Sequence, residues 1–552
     1  MRTRWNEWND QGIFEVADAY RKQLFNKDIS EYREAANALR REMLKKDPNC
    51  PKYHFTTPEG LVISQDVTIY YKGLYHMFYL YLPTFEGNRV TMWSGFGRYM
   101  PDSHFVIAWG HAVSEDLVHW RDMPVAMWPE EEFETLTQMS GECFFTPDGE
   151  PWIFYGGAGD EYEKDNSLIL ARPKDDMLNT WEKQTLIHHD GPIDTSVMDF
   201  VGRIWKHEDT YYMSTGRRCD GHGAGYLLVS KDLLNWEVSN VFFERGNDRT
   251  WETPIVFPVD GKDVFIVAYT PRIAGEAIQY WIGRFDYETR RFVPDLNMGR
   301  PVDPGHLSAH YIMDDTAAKH NGKDRTILTG WIDDRENKVD GGVPFRAGSL
   351  TLPRELHIQD ETLSQSVIPE IDTLITEVKE YGTKELLSGE TFEIRDTSDA
   401  YKLSFRRRRG RLDHKIVLEF VAFTQEDGKR TENTNGYAAA KLILETNGSV
   451  AFEGIRKGRV DCMFNPIYDA VFHIYVDRSI VEIYVEEINP ETGTSISRVY
   501  TGVIPLSCGI AYSGRTKNVW IQSNLDGINI KGRGVLEDIT VSKMDCIWGE
   551  TE

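Results

Sequence analysis

The sequence predicts an all-β protein: a five-bladed β-propeller followed by a C-terminal β-sandwich, with a short N-terminal helical arm. Three patterns carry that reading. First, a short polar turn leading into an aromatic-rich strand occurs five times: KGLYHMFYLY (72–81), DGEPWIFYGG (148–157), HEDTYYMSTG (207–216), GKDVFIVAYT (261–270) and GKDRTILTGW (322–331). Its period of roughly 55–75 residues, with several short strands per unit, is the signature of propeller blades. Second, from about Gly389 onward the text alternates with period two (FEIRD, YKLSF, KIVLEFVAF, AKLILET, FHIYVDRSIVEIYV), which indicates a sandwich. Third, residues 13–46 carry apolar residues at helical spacing among many charges, and Asp47-Pro48 ends them.

These patterns divide the chain into an arm (1–50), a propeller (51–365), a linker (366–385) and a sandwich (386–552). Three of the five blade phrases are followed by a second one: WGHAVSEDLVHW (109–120), the looser LILARPKDDMLNTW (168–181) and GYLLVSKDLLNW (225–236). The linker, SVIPEIDTLITEVKEYG (366–382), reads as polar with helical character. A propeller gathers the start of one inner strand from every blade around a single axial pocket. The polar residues at those strand starts are therefore the candidates for function.

Composition narrows the classes. A net charge of −25 argues against nucleic acid or an anionic membrane as partner. Six cysteines without CxxC or CxnH spacing give no zinc site and no compact disulfide framework, and no metal or cofactor is expected. The amino terminus lacks the apolar core of a secretory signal and no run of about 18 apolar residues exists, so a cytoplasmic location is the expectation. Aromatics at 12% suit an all-β core or a sugar-binding surface.

Three acids lie where inner strands should begin: Asp66 before TIYYKGLYHMFY, Asp199 before the strand ending in YYMSTG, and Glu252 in RTWETPIVFP. Glu252 stands between Trp251 and Thr253-Pro254-Ile255, apolar surroundings that favour the protonated form a general acid needs. Trp93, Ser94, Trp109, Arg203 and Thr253 are the substrate-binding candidates; Trp109 reads equally as blade core. Asp194 is a further carboxylate near the second acid, and Arg217 a further cation. His76 and His111 sit in apolar strands as packed core, and Glu482 belongs to the sandwich as a structural acid.

The same residues resemble glycoside hydrolase family 32, the invertase, inulinase and levanase group, from Tyr53 to the end. The similar phrases are YHFTTPEG (53–60), WSGF (93–96), WGHAVSEDLVHW (109–120), SGECFFTPDG (140–149), WETP (251–254), AGSLTLPREL (347–356) and FHIYVDRSIVEIYV (472–485) with SRVY (497–500). The resemblance implies the propeller–sandwich fold and retaining hydrolysis of β-fructofuranosides (sucrose, fructo-oligosaccharides or fructans). Two of the family's chemical positions depart from its pattern. Its nucleophile position falls on Ser64 when counted back from Gly73, and on Asp66 when counted forward from the PEG phrase. Its RDP phrase is replaced in DFVGR (199–203), where Val201 and Gly202 take the arginine and aspartate positions. Asp66, Asp199 and Glu252 are the resulting catalytic set. The alternatives are a glycan-binding propeller without turnover, and hydrolysis of another furanoside such as an arabinofuranoside.

Overall fold

The computed structural model describes residues 28–548 except 48, 83–106, 130, 135–136, 159–165, 189–190, 192–199, 217–222, 247–248, 271–276, 321–322, 335–345, 409–413, 427–428, 431–436, 448, 455–457, 463–468, 505–506 and 511–518. Five sheets of antiparallel strands form the blades, the first also taking Arg346–Ala347 as a parallel edge strand. Their innermost strands are Gly60–Tyr71, Thr137–Phe145, Phe200–His207, Thr250–Val259 and Leu307–His320. Each packs on the next in sequence, and the fifth packs back on the first, closing a ring. Each of the five repeated phrases is the hairpin turn and second strand of one blade, because polar turn residues flank a run buried between neighbouring sheets.

The ring is stitched by the segment 346–350. Arg346–Ala347 pairs with Gly60–Leu61 in the first blade, and Ser349–Leu350 pairs with Trp331–Ile332 in the fifth. Gly348 between them has φ +77° and faces the Val62 carbonyl so closely that a Cβ would lie 2.1 Å from it. Only glycine fits that crossing.

The sandwich is a six-stranded sheet facing an eight-stranded one. Leu403, Phe405, Phe420, Phe452 and Phe472 fill the space between them. Ile375–Leu386 is an edge strand of the six-stranded sheet, paired with Gly534–Met544, and not part of a helical linker. Its residues are mostly exposed on both faces, so the polar text hid its alternation; only Pro369–Leu374 keeps a short 3₁₀ turn.

Propeller and sandwich share a buried ionic clamp. His54 holds Asp477 through Nδ1 at 2.9 Å and Glu482 through Nε2 at 3.0 Å. Arg354 reaches Glu482 at 2.7 Å and Asp303 at 3.1 Å. Burial works against charge on His54, yet the hydrogen bonds it donates to the two carboxylates raise its pKa to about 9. Burial likewise opposes charge on Glu482, but Arg354 and His54 hold it down to about 2. Glu482 is thus a joint between domains, as its place in the sandwich text suggests.

The described part of the arm is one helix, Ile29–Lys46, whose N-cap Asp28 accepts the Glu31 amide. Residues 13–27 lie outside the described set. The helix braces the first blade: Arg40 makes a two-pronged buried pair with Asp122 on the outer strand and lies 3.2 Å over the Trp548 ring. His76 and His111 pack as core, their nitrogens 3.1 Å apart and His111 stacked on Phe78, with burial lowering the pKa of both.

Candidate active site

The first inner strand carries two surplus residues relative to its partner 74–82. The register slips between Val62 and Ser64 and again between Gln65 and Val67, leaving Ile63 and Asp66 unpaired. Such bulges turn a side chain out of the ladder's alternation. Ser64 and Asp66 end on the same side, with the Ser64 hydroxyl donating to Asp66 Oδ2 at 2.7 Å. The Ser140 hydroxyl and the Leu80 and Gly141 amides also bond this carboxyl. Asp66 is 3% exposed, and burial pushes it up to about 6 in spite of those donors.

The second blade leaves no slack beside it. A Cβ on Gly141 would lie 2.6 Å from the Phe154 carbonyl and 2.8 Å from the Trp109 ring. Trp109 itself is wholly buried against Phe78 and Tyr155, its indole N–H donating to the Met139 carbonyl. It is blade core, and its buried faces cannot stack on a sugar.

On the third inner strand, Gly202 is the extra residue where Ser214 pairs with Arg203 and Thr215 with Val201. A Cβ there would sit 2.1 Å from the Pro254 carbonyl of the fourth blade. Val201 is buried in the apolar cluster shared by blades two and three. Gly202, at the aspartate position of the family pattern, is therefore closed to a side chain, and Val201, at the arginine position, is packed among apolar groups. Arg203 does not supply the missing charge beside Asp66. Its guanidinium runs along the axis to the Ile312 carbonyl and Asp314, 3.8 Å from Glu142, because those acceptors lie deeper on the fifth and second inner strands.

On the fourth inner strand, Glu252 is 7% exposed and accepts the Thr270 hydroxyl. The ladder slips immediately afterwards, from Glu252 to Ile255, and half-buried Thr253 takes a left-handed φ of 44°. Trp251 is fully buried and anchors the strand. His310 lies beside the Thr253 backbone, and burial holds its imidazole at about 3, hence neutral. Asp199, Asp194, Trp93, Ser94 and Arg217 lie outside the described residues. Among the described residues no three His, Cys, Asp or Glu side chains converge as a metal site.

Sequence reasoning missed Ser140, Thr270 and His310 around the two acids, and Glu142 deeper on the axis. Glu142 had a visible signal: it stands in SGECFF, at a position that is small in the family phrase.

Buried carboxyls on inner strands of a five-bladed propeller, joined to a β-sandwich, define a glycosidase scaffold. Residues 54–367 match the glycosyl hydrolases family 32 N-terminal domain, and the chain belongs to that family. It is similar to a fructan 6-exohydrolase of Beta vulgaris, 26% identical over 379 residues, covering 63% of this chain and 59% of that protein. A β-fructofuranosidase, insoluble isoenzyme 1, of Daucus carota is 25% identical over 61% of this chain and 58% of its own length. The chain thus spans about three fifths of these curated relatives. Among solved structures it resembles the Bombyx mori β-fructofuranosidase BmSUC1 (TM-score 0.67, 21% identity, covering 94% of this chain and 98% of that one). A sucrose-6-phosphate hydrolase from Lactobacillus gasseri gives a TM-score of 0.66 at 18% identity, over 96% and 99%. These two likenesses speak for the fold.

Proposed function

We propose that the protein hydrolyses β-fructofuranosides (sucrose, fructo-oligosaccharides or fructans) by retaining double displacement. Glu252 is the proton donor to the leaving oxygen, Asp66 is the attacking carboxylate, and Asp199 takes the stabilising role. The observation that supports this most is the Ser64–Asp66 pair. A serine hydroxyl stands at the family's nucleophile position and hands a hydrogen bond to a buried carboxylate two residues on. The bulge at Asp66 leaves this carboxyl on the Ser64 side of the strand, which supports reading it as the nucleophile. The relatives' names speak for fructosides as the substrate class. A carboxyl raised to about 6 is half ionised at that pH, so turnover is expected to rise through it as Asp66 becomes anionic.

Purified protein should release fructose from sucrose, 1-kestose, inulin or levan, and both Glu252→Gln and Asp66→Asn should abolish it. No release from any of the four, with the fold intact, overturns the proposal. The closed position at Gly202 favours a second reading, a propeller that binds a glycan without cleaving it. That reading expects oligosaccharide binding by calorimetry with no turnover.

A further inference from the structure

The far end of the propeller axis, where the inner strands finish, holds a cavity of about 550 Å³ that neither Ser64, Asp66 nor Glu252 lines. That volume lies within the range of ordinary small-molecule sites. Glu142 projects into it from the second blade with an unusual accounting. Its Oε1 takes the Cys143 amide at 2.8 Å and the Tyr311 hydroxyl at 3.4 Å. Its Oε2 is buried with no hydrogen-bond partner among the described residues, and Arg203 stands 3.8 Å away in a loose ion pair. A buried carboxyl oxygen without a partner costs about 1–3 kcal/mol, a loss that a ligand hydroxyl reaching it from the cavity would offset.

The surrounding wall shows which ligand would complete it. Arg203 and Lys206 are balanced by Asp314 and Asp263, so the wall favours no net charge. Burial raises Glu142 to about 8, which keeps it a neutral donor at ordinary pH. At the mouth, Tyr70 and Phe145 are 38% and 40% exposed, flat apolar surfaces beside the polar floor. Aromatic faces above paired donors and acceptors suit a molecule with apolar ring faces and hydroxyl edges.

We propose that this far mouth is a second carbohydrate-binding site, taking a neutral mono- or disaccharide whose hydroxyl pairs with Glu142 Oε2 and whose ring lies against Phe145 and Tyr70. It stands apart from the hydrolytic end and does not depend on hydrolysis. The test uses the full chain carrying Glu252→Gln, so that no probe is consumed, with fructose, glucose, sucrose and maltose titrated by calorimetry. At least one probe should bind, and Glu142→Leu should weaken that isotherm about tenfold, the loss of one good hydrogen bond. Phe145→Ala, on the exposed rim where folding is not at stake, should weaken it as well. In the otherwise wild-type chain Phe145→Ala should leave fructose release unaltered. Isotherms that neither substitution changes, or no binding by any of the four sugars, overturn the proposal.

Discussion

Replacing Asp66 with asparagine separates what the carboxyl does for chemistry from what it costs the fold. The group is 3% exposed, and burial moves it from 3.8 to about 6. A carboxyl with a higher pKa in the folded chain holds its proton more tightly there than in the unfolded chain. The stability this confers is complete below about 3.8 and is lost as the pH rises through about 6. Over that interval it amounts to about 3 kcal/mol, at about 1.4 kcal/mol per pH unit. Asparagine does not titrate. Its amide cannot accept from every donor that faces Asp66, a loss of about 1–3 kcal/mol that stays constant with pH. The stability of the variant relative to wild type should therefore improve by about 3 kcal/mol between roughly pH 4 and pH 7, whatever the constant offset. Urea unfolding followed by tryptophan fluorescence, with both proteins at each pH, measures it. Under the proposed mechanism the same substitution lowers kcat/KM for sucrose at least about 10³-fold. Parallel stability profiles would refute the buried ionisable carboxyl, and undiminished fructose release would refute its place in the reaction.

Ser64→Ala removes a hydrogen bond that favours ionised Asp66, so the acidic limb of the pH–rate profile should move up by about one pH unit; an unmoved limb means the hydroxyl does not tune the acid. Gly202→Ala drives a methyl into the Pro254 carbonyl and should cost about 1–3 kcal/mol of unfolding free energy, while Gly202→Asp should bring the same loss with no gain in turnover. His54, raised to about 9 from 6.5, contributes stability that is complete below about 6.5 and vanishes as pH climbs through about 9. Wild type should therefore lose roughly 3 kcal/mol across that window, and His54→Gln should show no such slope in the same unfolding series.

Much of the fold was legible because its signals are periodic. The five turn-and-strand phrases became five hairpins, and the alternating text from FEIRD onward became sandwich strands, since burial on one face forces period two. The strand Ile375–Leu386 escaped because an edge wetted on both faces has no apolar period to read. Trp109 was ambiguous for a related reason. An aromatic beside a predicted pocket can face the ligand or the neighbouring blade, and its burial against Phe78 and Tyr155 decides between them. Arg203 was misplaced because a long side chain can run several residues along the axis before it finds its acceptors.

The two altered motifs share one physical cause, and it is invisible to counting. Asp66 and Gly202 are both the extra residue of a bulge, and Glu252 stands at the edge of a third slip. Counting back from Gly73 assumes an unbroken ladder and lands on Ser64, whereas Asp66 is the unpaired residue of a bulge two positions on. At Gly202 the bulge works in the opposite sense. It brings the third inner strand so close to Pro254 that the family's aspartate position has no room for a side chain. One bulge thus sets a buried carboxyl beside Ser64, while another closes position 202 to a side chain. Placing an aspartate back at 202 cannot restore the family's chemistry unless the Pro254 backbone moves as well. The stabilising charge, if the protein turns over fructosides, has to arrive from the strand lead-in that carries Asp199.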